Sequence, residues 1–282
     1  MKRKLISQKD SFTITLPKNW IRSKNISAGD EITLNESKGL LILSTSQKES
    51  KKEFHIEVSD YSETHIRNIL NQLYILNATR ITITSKSKAK LLICKKLCSL
   101  FLVGFEVTKE DKNKLILELL ATPSEDSLDK FLLKIFNFLE YNLMILKEGK
   151  KNLSEIKRST KKITQFKNIS KRIILSNLMN DSKKIFLSEI VSYLTEINHL
   201  IFHIAERNVK ITKKEIELIG TTFNLIKKGF YKENEEVLNE VQQNVIKFEN
   251  NPFVFAIIRN LYNLSNSVAA LNQNPEKSEK IT

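Results

Sequence analysis

Two pairs of side chains have a spacing that could support chemistry. His199 and His203 are four residues apart, and Glu196 lies three residues before the first. On a helix the two imidazoles would share a face and could ligate a transition metal. Core or partly exposed histidines have the same spacing, and the HExxH pattern is absent. Cys94 and Cys98 are also four apart, unlike a CxxC motif, so they are either small buried side chains or a redox or metal pair.

No set of catalytic residues is found in the sequence. It contains no Gly-rich phosphate loop, no G-x-S-x-G and no HExxH. Trp20, the single tryptophan, fits the core of a β-domain or a stacking platform for a base. We therefore predict a protein that is not an enzyme, has no catalytic residues and needs no cofactor.

Basic residues are concentrated in two segments. The chain has a net charge of +14, and residues 1–24 contribute +6 while residues 147–184 contribute +9. Such segments favour an anionic partner, which could be DNA, a membrane surface or an acidic protein. A solvated basic face is the alternative for both segments. The basic residues of the N-terminal segment are Lys2, Arg3, Lys4, Lys9, Lys18, Arg22 and Lys24.

The elements that would position these residues can be predicted from pattern. Strands are expected at 4–8 and 12–16, followed by a short helix that begins at Pro17 and ends near Asn25. Gly29 supplies a turn with positive φ before a hairpin of residues 31–34 and 40–44. Residues 47–52 are predicted to be a linker. This N-terminal β-domain is placed at residues 1–46.

Two further segments are predicted. Residues 53–122 have the order β-α-β-α-β-β of a small α/β unit with its helices on one face. Residues 124–273 repeat apolar side chains every three or four positions, as in an antiparallel helical bundle. Ser124 is expected to cap the first helix, Gly229 and Asn251-Pro252 to break later ones, and Thr212 with Glu215 to form a capping box. Helices are expected near 125–148, 152–181, 183–208, 212–230, 232–249 and 251–273, followed by a tail at 274–282.

Residues 3–44 resemble the AbrB/SpoVT family, which includes MazE-type antitoxins. The resemblance depends on Ser11-Phe12-Thr13-Ile14-Thr15-Leu16-Pro17-Lys18, on Trp20, and on Ile26-Ser27-Ala28-Gly29-Asp30-Glu31-Ile32. It implies an obligate homodimer in which hairpins of two chains interleave into one sheet. It also implies DNA contact by basic residues of the first strand and its loop, which are Lys2, Arg3, Lys4 and Lys9 here. Secondary candidates for DNA contact, on or after the helix, are Lys18, Arg22 and Lys24. A dimer would bury apolar surface that some forty residues cannot bury alone.

The bundle resembles the PhoU family of phosphate-uptake regulators. The resemblance depends on the order of the three segments and on the stretch from Leu194 to Glu206, which ends in Ile204-Ala205-Glu206. The family's acidic metal-binding pairs fall here on Thr195 and His199, and on Asn168 and Ser170. These residues lack carboxylates and the surrounding segment is basic, so the metal site is not carried over.

The expected fold is therefore α+β, with a swapped-hairpin β-domain, a small α/β middle unit and an antiparallel, PhoU-like helical bundle. The leading hypothesis is a DNA-binding regulator of phosphate uptake or related gene expression. The alternatives are a protein-interaction regulator that docks on a phosphate transporter or signalling partner, and a phosphate- or metal-binding bundle. No apolar stretch of 18 residues and no signal peptide are found, so we predict a cytoplasmic protein without a transmembrane segment.

Overall fold

The computed structural model describes residues 3–9, 11–37, 40–45, 52–148, 152–176, 181–232, 241 and 251–273. The chain divides into two compact units, Met1–Lys51 and Lys52–Thr282. Four predictions lie wholly or mainly outside the described residues: the DNA contact of Lys2, the linker at 47–52, the helix at 232–249 and the tail at 274–282. The predicted α+β class is confirmed, since a small β region precedes a mostly helical part.

The N-terminal unit consists of two hairpins and one short helix. Strands β1 (Leu5–Gln8) and β2 (Ser11–Ile14) pair antiparallel, as do β3 (Ile32–Ser37) and β4 (Leu40–Thr45). Helix α1 (Lys18–Ser23) begins directly after Pro17, whose φ of −64° suits a helix start. Gly29 has a φ of 96°, as predicted, within a turn closed by a 2.7 Å hydrogen bond from the Ser27 amide to Asp30 Oδ2.

The second unit begins with an α/β layer in the predicted order. Its strands are β5 (Glu53–Glu57), β6 (Arg80–Thr84), β7 (Phe105–Asp111) and β8 (Lys114–Leu119), arranged β5-β6-β8-β7. The β5–β6 pair is parallel, because α2 (Glu63–Ile75) connects the two strands as a crossover. Helix α3 (Lys88–Phe101) packs beside α2. Together these helices lie between the sheet and the bundle.

Five described helices form the bundle. They are α4 (Leu128–Lys147), α5 (Leu153–Ser176), α6 (Asp181–Glu206), α7 (Lys213–Lys232) and α8 (Pro252–Asn272). Helix α6 is central and packs against α4, α5 and α8. The capping box is confirmed, because Thr212 Oγ1 accepts from the Glu215 amide and the Glu215 carboxylate accepts from the Thr212 amide. Asn251 caps α8 with Pro252 in its first turn.

Two predicted helix boundaries are wrong. Ser124 does not cap α4, because a 3₁₀ turn at Glu125–Ser127 precedes the helix and the Ser124 carbonyl accepts from the Ser127 amide. Gly229 does not break α7, which continues to Lys232. Its carbonyl accepts a hydrogen bond from Asn272 Nδ2 on α8 at 3.0 Å.

One hydrophobic core extends across the α/β layer and the bundle. It includes Ile81 of the sheet, Leu70 of α2, Ile173 of α5 and Ile197 of α6, all buried. Polar contacts follow the same route. Asn168 of α5 donates to Asn71 of α2 at 2.9 Å between Nδ2 and Oδ1. The layer and the bundle are therefore packed as one structure.

Helix α6 reaches the length and apolar character of a membrane span, with a mean hydropathy of 1.2 over 18 residues. This is weak evidence for a span, because the core helix of a bundle has the same composition. The buried side chains of α6, such as Ile190, Leu194 and Ile197, belong to the hydrophobic core shared with the neighbouring helices.

Candidate nucleic-acid interface

The predicted DNA-contacting residues that the structure describes all belong to the N-terminal unit and are all exposed. Arg3 and Lys4 directly precede β1, and Lys9 lies in the β1–β2 turn with a φ of 46°. After β2 in the chain, Lys18 and Arg22 lie on α1, and Lys24 directly follows that helix. Among the described residues, none of these six side chains forms an ion pair with a carboxylate. Their charges are therefore available to an anionic partner.

The same unit has no buried side chain among those whose burial is described, namely residues 3–9, 11–34, 41 and 43. Large apolar side chains that would form a core in a closed domain are instead 43% to 72% exposed. They are Leu5, Ile6, Phe12, Ile14, Leu34 and Leu41. An isolated two-stranded hairpin is only marginally stable in water. These residues therefore require a covering surface that the unit itself does not provide.

Trp20 is half-buried on α1, and its carbonyl accepts from Ser23 Oγ at 2.9 Å. This partial burial is compatible with both interpretations of Trp20, a core residue of the β-domain and a stacking platform for a base. Helix α1 has only six residues and no buried side chain. It is too short to act as a recognition helix of the helix-turn-helix type, so base contacts would have to come from the strands and loops.

The predicted metal candidates are separated into two pairs. His199 Nδ1 lies 4.0 Å from Glu196 Oε2, and His203 Nδ1 lies 3.3 Å from Glu206 Oε2. Within the described ranges, no three His, Cys, Asp or Glu side chains are grouped closely enough to hold a metal ion. Burial lowers the pKa of His199, Glu196 opposes that shift, and neighbouring cations add to it.

Cys94 and Cys98 are free thiols buried on α3. Burial raises the pKa of Cys94 to about 11 and that of Cys98 to about 12. Both are protonated at neutral pH, and the Cys98 thiol lies 3.8 Å from the Phe105 carbonyl as a weak donor. The geometry is that of two core side chains on one helix face.

The positions to which the PhoU resemblance assigns acidic metal ligands are mostly inside the protein. Asn168, Ser170 and Thr195 are buried, and His199 is half-buried. Thr195 Oγ1 donates to the Val191 carbonyl at 2.6 Å. Neutral, buried side chains at these positions cannot present carboxylate oxygens to a hard cation on the surface.

Sequence reasoning did not identify the polar side chains that cross between helices. Arg172 of α5 is buried and donates from Nη1 to the carbonyls of Tyr74, at 2.7 Å, and Ala78, at 3.1 Å. In the bundle, Asn142 Nδ2 donates to Asn198 Oδ1 at 2.9 Å. The sequence signal that could have indicated them is a polar residue at an apolar position of the helical repeat. Arg172, directly before Ile173 and Ile174, is an example.

Comparison of the chain with protein-family models, with curated proteins and with solved structures gives no significant match. The geometry of the N-terminal unit and the charge of the chain therefore provide the grounds for assigning a function.

Proposed function

We propose that the protein is a regulator of phosphate uptake or related gene expression, whose N-terminal unit binds DNA as a homodimer. In this proposal the helical bundle senses or relays the signal. The observation that carries it is the combination, within the described part of one small unit, of uncovered apolar side chains and exposed cations that form no ion pair there.

The uncovered apolar side chains support dimerisation. Full burial of a large aliphatic or aromatic side chain contributes about 1.5–3 kcal/mol. A second chain that covers Leu5, Phe12 and Leu34 would therefore stabilise the unit by several kcal/mol per chain, since each side chain contributes about 1.5–3 kcal/mol. Interleaved hairpins, as in the AbrB/SpoVT family that residues 3–44 resemble, would provide that cover because each chain contributes two hairpins.

The cations of this unit support DNA as the partner. Dimerisation brings together two sets of Arg3, Lys4 and Lys9 at the same sheet. Lysine and arginine donate to phosphate oxygens, and arginine can also read guanine through two hydrogen bonds. If the dimer neutralises about six phosphates, raising the salt concentration from 50 to 200 mM should weaken DNA binding by about 10³-fold.

The role of the bundle is inferred from its resemblance to the PhoU family. The antiparallel helices α4 to α8 around α6 are consistent with such a bundle, and the basic segment at 147–184 distinguishes it from the acidic, metal-binding members. A second candidate function has the N-terminal unit only dimerise while the bundle docks on a phosphate transporter or signalling partner. The uncovered apolar side chains fit both candidates, whereas the exposed cations favour DNA.

A titration against genomic DNA fragments at 50 and 200 mM salt tests the proposal. We expect the full chain to bind a few fragments tightly, and a chain lacking residues 1–51 to lose that binding. Arg3→Gln/Lys4→Gln should weaken binding and reduce its salt dependence. Lys213→Gln/Lys214→Gln, an equal change of charge at exposed positions of α7, is the matched control. Binding that is unaffected by residues 1–51 would refute DNA contact by this unit.

Sedimentation equilibrium tests the dimer separately. Phe12→Asp places a charge on a side chain that is 72% exposed in one chain, and we expect it to convert the dimer to a monomer. Phe255→Asp, at a side chain of α8 that is 50% exposed, should leave the mass unchanged. A Phe12→Asp protein that keeps the mass of the wild type would exclude this surface from the dimer interface.

A further inference from the structure

A group of cationic side chains is carried by three helices, α2, α5 and α6, of which α5 packs against the other two. It consists of Arg67 on α2, Lys167 and Lys171 on α5, and His199 on α6, and it is called the three-helix cation cluster below. Both lysines and the histidine are half-buried, while Arg67 is exposed. The predicted DNA contacts do not include any of these residues.

Hydrogen bonds tie together the helices that carry these cations. Lys171 Nζ donates to Ser192 Oγ at 2.8 Å, which ties α5 to α6. Asn168, next to Lys167, donates to Asn71 of α2 at 2.9 Å. Arg67 precedes Asn71 by one helical turn and therefore lies on the same side of α2. The cluster is thus built on three packed helices rather than on a loop.

Three of the four cations in the cluster have no carboxylate partner among the residues that the structure describes. In the described part of the chain, Arg67, Lys167 and Lys171 form no ion pair with a carboxylate. The fourth member, His199, has Glu196 beside it, with 4.0 Å between Nδ1 and a carboxylate oxygen that belongs to a half-exposed side chain. Burial lowers the pKa of Lys167, and the charges of Lys171 and Arg67 lower it further. Burial also lowers the pKa of Lys171.

Half-burying like charges without a counter-ion is unfavourable, so an anion that enters the group would be bound with a gain in stability. We propose that the three-helix cation cluster is a binding site for a multiply charged oxyanion of the phosphate class. Lys167 and Lys171 would bind its oxygens as point charges, and Arg67 would donate to them through its planar guanidinium.

The size of the cluster favours a compact anion over a nucleic-acid strand. Its two lysines span a single turn of α5, whereas a strand requires a basic track over many nucleotides. A free phosphate and a lipid phosphate headgroup share the chemistry required here. The proposal does not depend on DNA binding, because the cluster and the N-terminal cations belong to different units.

Calorimetry on the full chain tests the site with two probes, inorganic pyrophosphate and phosphatidylcholine vesicles that contain phosphatidic acid. Saturable binding of either probe, weakened by Lys167→Gln/Lys171→Gln, is the expected result. Each lysine should contribute about tenfold in affinity, since a hydrogen bond to a charged group is worth about that factor. Binding of pyrophosphate identifies a free oxyanion, and binding of vesicles alone identifies a headgroup.

The matched control is Lys157→Gln/Lys161→Gln, which makes the same charge change at exposed positions of the same helix, also four residues apart. We expect it to leave the affinity unchanged. Thermal melts should show that the cluster variant folds but loses the rise in Tm that the ligand gives the wild type. Three results would overturn the proposal: no saturable binding of either probe, an equal loss of affinity in the control, or tighter cluster-dependent binding of a DNA duplex.

Discussion

Replacing Arg172 with methionine tests whether a single buried cation holds the α/β layer to the bundle. The guanidinium donates to the Tyr74 and Ala78 carbonyls at and just beyond the C-terminal end of α2, and it stacks on the Tyr74 ring at 4.8 Å. Tyr74 lies in the last turn of α2, and its carbonyl also accepts from the Asn77 amide at 3.1 Å, whereas Ala78 follows the helix. Methionine has a similar length and fills much of the same space without donating to either oxygen.

The cost can be estimated from these contacts. Two charge-assisted hydrogen bonds contribute about 1.5–3 kcal/mol each, and the cation–ring contact contributes about 0.5–2 kcal/mol. Removing the charge also recovers several kcal/mol of desolvation. The net loss in the free energy of unfolding should be about 2–4 kcal/mol, which corresponds to a fall in Tm of about 5–15 °C for a unit of this size.

Urea denaturation and thermal circular dichroism of the full chain would measure this loss. Lys161→Met, at an exposed position on the same helix, is the control and should change the free energy of unfolding by less than about 0.5 kcal/mol. Arg172→Lys keeps the charge but not the planar donor, so its stability should lie between the two. An Arg172→Met protein as stable as the wild type would show that the recovered desolvation offsets the lost contacts, and the reasoning would be refuted.

Two further predictions concern groups buried in the second unit. Cys94 and Cys98 should not react with Ellman's reagent at pH 8 until the protein unfolds, and rapid labelling of the native protein would contradict their burial. Because burial raises the pKa of each thiol, their contribution to stability is complete below about pH 9 and is lost as the pH rises through about 11 for Cys94 and about 12 for Cys98. Asn198→Ala should reduce the free energy of unfolding by about 2–4 kcal/mol, because it leaves the Asn142 amide without its acceptor in the core. Asn142→Leu/Asn198→Leu should recover part of that loss, and denaturant titrations in which the single variant costs under about 1 kcal/mol would show that the pair is dispensable.

Local signals in the sequence predicted most of the described elements. Apolar periodicity located the helices. The Thr212–Glu215 capping box marked the start of one helix, and the predicted break at Asn251-Pro252 marked the start of another. Gly29 was predicted correctly because positive φ is a property of a single residue. Gly229 was misinterpreted as a break, because the helix that contains it continues to Lys232. Ser124 was misinterpreted because a 3₁₀ turn could not be distinguished from the first turn of α4.

The candidate sites were predictable to different degrees. Exposed cations in the N-terminal unit follow from its composition, and the six described candidates lie on its surface. The three-helix cation cluster could not be predicted, because Arg67 and Lys167 are about one hundred positions apart and only the packing of α2 on α5 brings them together. Arg172 was hidden for the same reason, since its two acceptor carbonyls lie 94 and 98 positions away.

The absence of buried side chains in the described part of the N-terminal unit has a consequence for how the protein responds to its own abundance. If the N-terminal unit obtains its core only from a second chain, its folding is a bimolecular reaction, and the folded fraction rises with chain concentration. Dilution would then unfold the N-terminal unit, while Lys52–Thr282, which has its own core, stays folded. Such a protein would occupy DNA only above a threshold number of copies in the cell, so synthesis and turnover of the chain would themselves act as a control on its activity.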